Sequence, residues 1–199
     1  MGQMLFSHDT ELTLRAACVL VNSDRAVGGG QADQLADQNA LDGYLDSHGW
    51  TGRRDRDDAE LDAVHRLRVR LGRIWAVAAD EEQAVRLVNA LLADTRAAPW
   101  LTRHPEMPEW HLHLASVDDP LAQRMGAEMA MALADLIRAG ELRRLKTCAA
   151  PDCQAVLIDL SRNRSRMFCD TGNCGNRQHV AAYRERRASD QVSDSRNER

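Results

Sequence analysis

Aromatic residues are scarce. Phe, Trp and Tyr together make up 4% of the 199 residues, so the interior rests on Leu, Val, Ala and Met, a set that suits packed helices. Long apolar runs are missing too: none approaches the ~20 residues that a membrane-crossing helix needs. Met1 to Ser7 lacks the basic-then-apolar order of a secretory leader. The expectation is a protein of the reducing cytoplasm with no membrane partner. No Ser/His/Asp order or carboxylate pair stands out, and Gly28-Gly29-Gly30 lacks the flanking strand and lysine of a phosphate loop. No enzyme is expected. In a reducing compartment, clustered cysteines are metal ligands more often than disulfides.

What is present is an ordinary globular composition, 44% hydrophobic and 28% charged. Its length fits one domain plus a small module. Asp9 can cap a first helix with Leu12, Ala16, Val19 and Leu20 on its apolar face, running to about Asn22. A second, short helix carries Leu35, Leu41, Tyr44 and Leu45. Leu61, Val64, Leu67, Leu71, Ile74 and Trp75 then recur at three- and four-residue steps behind Asp57 and Asp58, the clearest stripe in the chain. Asp80 starts a fourth helix. Pro99, Pro105 and Pro108 exclude a helix in the next region, where Trp100–Thr102 and Trp110–Val117 read as a hairpin alternating Trp110/Leu112/Leu114 against His111/His113. Asp118-Asp119-Pro120 opens a helix that buries Leu121, Met125, Met129, Leu133, Leu136 and Ile137 and ends near Gly140.

The predicted fold class is α+β, mainly α. A helical domain over 1–141 has one small hairpin, a small separate module occupies 142–188, and a polar tail over 189–199 is expected to be disordered. Charge divides at the same boundary. Residues 1–141 hold 14 Lys/Arg and 23 Asp/Glu, whereas 142–187 hold 10 and 4, with nine of the ten being arginine. A compact basic module on an acidic body points to a polyanion partner.

The decisive pattern is Cys148-x4-Cys153-x15-Cys169-x4-Cys174. Two close pairs separated by about fifteen residues match the spacing of a four-thiolate structural zinc site, one Zn²⁺ with no open position for catalysis. The insert from Ala155 to Phe168 has the length of a β-hairpin, with Ala155–Ile158 as its first arm and Ser161-Arg162-Asn163-Arg164 in its turn. A helix follows over Asn176–Arg187, which makes 142–188 a treble-clef-like zinc finger. Cys18 lies on the apolar side of the first helix and reads as a buried thiol.

The run Asp159 to Arg166, then Cys169, then Cys174-Gly175-Asn176-Arg177 resembles the CGNR zinc-finger family. Phe168 stands where that family usually has Trp, and His179 where it usually has lysine. Leu20-Val21-Asn22-Ser23 is similar to the Leu-Val-Asn-Thr signature of the ABATE domain that commonly precedes this finger. The resemblance implies a stress-induced transcription regulator.

Arg162, Arg164 and Arg166 are spaced by two and share a face if extended. Arg177, Arg184 and Arg187 share a face of the last helix. These six are the candidate nucleic-acid contacts, and DNA is the expected partner. The alternative is a solvated basic surface, or an adaptor whose finger docks on protein. A small-molecule effector or protein partner is assigned to the N-terminal domain. There His111 and His113 are weaker metal candidates, and His65 reads as structural. Met125, Met129 and Met131 can line a pocket, the first two more simply as core. The sequence does not fix the oligomeric state.

Overall fold

The computed structural model describes residues 6–24, 32–104 and 107–197. Gly28–Gly30 lie outside them. Five helices build the body: α1 His8–Asn22, α2 Gln38–Ser47, α3 Asp58–Ala76, α4 Glu81–Asp94 and α5 Leu121–Arg138. Three start on aspartate caps. Asp37 accepts from Ala40 N at 2.8 Å, Asp57 from Glu60 N at 2.8 Å and Asp80 from Gln83 N at 3.0 Å, each worth about 1 kcal/mol against alanine. Helix α5 packs on α1, α3 and α4, and its stripe Leu121, Met125, Met129, Leu133, Leu136 is buried as the spacing requires.

Helix α1 departs from the expected face. Leu12 and Val19 are 47% and 43% exposed, while Leu14, Ala17, Leu20 and Val21 are buried. The helix carries apolar residues over a wide arc, and α3, α5 and a strand of the finger together select the part that faces inward. Strands β1 Trp100–His104 and β2 Met107–His113 form the expected antiparallel hairpin, with Trp100 opposite His113 and Leu101 opposite Leu112. Its alternation is inverted at one point: Trp110 is 64% exposed and His111 is buried.

After α5 a short 3-10 turn, Leu142–Arg144, leads into β3 Leu145–Thr147, which pairs antiparallel with β4 Val156–Ile158. This corrects the expected hairpin within 155–168. The arm at 156–158 turns back onto the chain before Cys148, and no strand forms over 159–168. The alternation of β4 divides its side chains between two cores. Val156 and Ile158 join Leu142 and Leu145 in the core of the body, while Ala155 and Leu157 pack with Cys148, Cys169 and Cys174. Helix α6 runs Cys174–Asn197, past Arg187 and through most of the segment expected to be a disordered tail.

Candidate metal centre

The four cysteines meet as the spacing demands. Cys148 follows β3, Cys153 closes the loop before β4, and Cys174 is the first residue of α6. Their sulfurs all lie within 4.8 Å of one another. Cys153 Sγ and Cys174 Sγ are each 3.7 Å from Cys169 Sγ. Zn–S bonds of about 2.3 Å in a tetrahedron place sulfurs about 3.8 Å apart, so these side chains fit one zinc ion. They are far too distant for disulfides, whose S–S bond is about 2.05 Å. Among the described residues, this is the cluster of three or more ligating side chains that can hold a metal, and His111 and His113 belong to no such group.

Backbone donors prepare one of the thiols, Cys148, for ionisation, whereas burial raises Cys153 to about 12 and also raises Cys169. Burial opposes the charged form of Cys148, but N–H groups of the chain outweigh it and bring its thiol below the ordinary value. One of them is Cys169 N, 3.4 Å from Cys148 Sγ. A bound dication would hold all four as thiolates. Cys18 is the opposite case. Burial pushes its thiol up to about 12, and it donates to Val156 O at 3.4 Å, an inert core group as expected.

A second polar assembly holds the loop over 159–168. Asp159, fully buried, accepts from Lys146 Nζ at 2.6 Å, Ser161 N at 3.0 Å, Ser161 Oγ at 2.5 Å and Arg166 N at 2.9 Å. Burial opposes its ionisation, yet these donors bring its pKa down to about 2. Lys146 also donates to Arg164 O and Arg166 O. Arg144, only 1% exposed, donates to Asp159 O and Ser161 O. Sequence reasoning placed Asp159 in a motif without a role and passed over Lys146 and Arg144. The available signal was a lone lysine among arginines beside a strand.

The candidate nucleic-acid residues are not equivalent. Arg164 N closes the predicted turn on Ser161 O at 3.2 Å, and Arg164 sits at φ 52°, which breaks the extended run that Arg162, Arg164 and Arg166 need to share a face. Arg164 reaches Glu141, and Arg166 pairs with Asp170. Arg177 donates to Asp152 Oδ2 at 2.7 Å and to Cys174 Sγ at 3.2 Å. It thus ties the first cysteine loop to the helix bearing the fourth ligand, and its charge offsets that of the thiolates. Arg184 and Arg187 are exposed on α6. Arg177 and Arg184 line one shallow depression with Asn173, Asn176 and Val180, so their helical spacing does bring them together.

The body grips this module directly. Asn22 Nδ2 donates to Val156 O at 2.8 Å, and Asn22 Oδ1 accepts from Val156 N at 2.8 Å. Trp75 Nε1 donates to Leu157 O at 3.1 Å. The signature Leu20-Val21-Asn22 therefore has a physical role: two residues fill the core and the third clasps β4.

A four-thiolate centre closed by the first turn of a helix defines the C-terminal part as a zinc finger. Comparison with family models agrees: the CGNR zinc finger matches residues 144–187. The ABATE family, described as "Putative stress-induced transcription regulator", matches residues 14–140, more than half of the chain. The chain belongs to the ABATE family and carries a CGNR finger behind the domain. No curated protein matches it.

Proposed function

We infer that this protein is a cytoplasmic transcription regulator that binds DNA through its zinc finger while the helical domain answers to a ligand or partner. The observation that carries the reading is the depression on α6 beside the metal centre, where Arg177, Arg184, Asn173 and Asn176 converge on a module with ten basic and four acidic residues. A helix rich in Arg and Asn fits the major groove, where these side chains meet base edges bidentately. Arg162, Arg184 and Arg187 have no carboxylate partner among the described residues and are the first phosphate contacts.

The adaptor reading draws support from one observation: Arg164, Arg166 and Arg177 already face carboxylates of the same chain. The Arg177–Asp152 pair is exposed and the other two are only partly buried, and ion pairs at a surface are weak, so phosphate can displace the carboxylates. The test is titration of labelled duplex DNA with zinc-loaded protein at several salt concentrations. Affinity should fall steeply with salt, and alanine at Arg162, Arg184 or Arg187 should each lower the slope by about one unit. A flat salt response, or variants that bind as wild type, rejects DNA in favour of a protein partner.

A further inference from the structure

The far end of α1 from the Asn22 clasp borders a half-open cavity of about 180 Å³, lined by the start of α1, by β2 and by the middle of α5. One wall is apolar, made by Trp110, Leu112 and Met131. The other is polar, made by Thr10, Glu128 and Asp135. Met131 is thus the methionine that serves a pocket, while Met125 and Met129 are core.

Among the described residues no lysine or arginine lines this cavity, which sets it apart within the body. Elsewhere the shielded carboxylates are matched by arginine. Asp33 receives Arg68 at 2.8 Å, and Glu60 receives Arg54 at 2.9 Å. Asp42 receives Arg54 and Arg56. Glu128 instead accepts a single 3.3 Å hydrogen bond from Leu114 N. Burial raises its pKa to about 7, and the Leu114 N–H and the neighbouring His111 offset this only in part. Asp135 accepts from Arg138, a side chain outside the cavity, at 3.2 Å. The Trp110 ring carries the Arg103 guanidinium 4.9 Å from its centroid on one face. A dry cavity of about 150 Å³ accommodates a benzene ring, which sets the scale of an occupant.

We propose that this cavity binds a small organic cation, an ammonium group on an apolar body about the size of a benzene ring. Glu128 and Asp135 meet the ammonium, and Trp110, Leu112 and Met131 line the apolar side against its body. The proposal deepens the ligand-sensing part of the function above and is independent of DNA binding. The groups facing Glu128 are Asp9 from α1, His111 from β2 and Asp135 on its own helix. Binding therefore tightens from about pH 6 to about pH 8, as Glu128 ionises.

The test is calorimetric titration of the full-length, zinc-loaded protein, without DNA, using benzylammonium, benzyl alcohol and benzoate as probes. Benzylammonium should saturate one site at least about tenfold more tightly than benzyl alcohol, with benzoate weakest. Glu128→Gln should reduce that preference to about twofold or less while keeping a cooperative thermal transition. Equal binding of ammonium and alcohol by the wild type overturns the proposal whether or not the variant folds. So does a folded Glu128→Gln protein that binds as the wild type does. Because no DNA is present, a failure of DNA binding leaves both outcomes readable.

Discussion

The body and the finger bury polar groups for opposite purposes. In the body, apolar stripes on five helices supply the core, and buried charge fastens loops to helices that already stand. Arg124, for example, donates to carbonyls of Arg53 at 2.7 Å and Asp119 at 3.0 Å and so holds the loop before α3. In the finger the buried apolar set is small: Cys148, Ala150, Ala155, Leu157, Cys169 and Cys174. There the polar groups are the framework, with four sulfurs around one point and Asp159 collecting donors from three parts of the chain. Loss of one polar group should therefore be local in the body and collective in the finger.

The largest test of that contrast is Cys169→Ser. Zinc binding in small fingers is worth on the order of 10–16 kcal/mol, far more than six small buried side chains provide. The variant should lose its metal, and amide exchange should become fast over 159–187. Residues 156–158 should stay protected, because Asn22 and Trp75 hold them from the body. Equal exchange throughout 145–187 would mean that the clasp contributes nothing without the metal.

Next in size is truncation after Gly140. The boundary read from sequence makes 1–141 an independent domain, yet Leu142, Leu145, Val156 and Ile158 complete its core. Full burial of each such side chain is worth about 1.5–3 kcal/mol. The fragment should keep its helical circular dichroism but melt well below the intact chain. Equal melting temperatures would restore the simple two-domain division.

A smaller effect is expected from Asn22→Ala, which leaves the Val156 N–H buried and unpaired, at about 1–3 kcal/mol, and its C=O with only the Cys18 thiol. Urea unfolding should register this while zinc content stays at one per chain.

The smallest is a pH effect at Glu128. Its folded pKa of about 7 lies above the unfolded value near 4.3. A raised carboxyl pKa favours folding in the protonated form, so the contribution is full below about pH 4 and is lost as pH rises through about 7. Between about pH 6 and 8, with zinc retained, wild-type melting should fall relative to Glu128→Gln. Parallel curves would show that a partner already neutralises the carboxylate.

Much of the molecule was legible in its residues alone. Cysteine spacing named the metal ligands, because a tetrahedral ion leaves few solutions for two close pairs. The three- and four-residue steps of α3 and α5 fixed their buried faces, and Asp57 and Asp80 fixed where helices begin, since caps and stripes are local rules. Packing in three dimensions set the partner of β4, the inward arc of α1 and the exposure of Trp110. Each depends on which of several apolar or hydrogen-bonding surfaces lies nearest in space. The roles of Asn22, Asp159 and Arg177 belong to the same class. A single polar side chain carries no periodic signal, and its meaning comes from a partner up to 134 residues away in the chain.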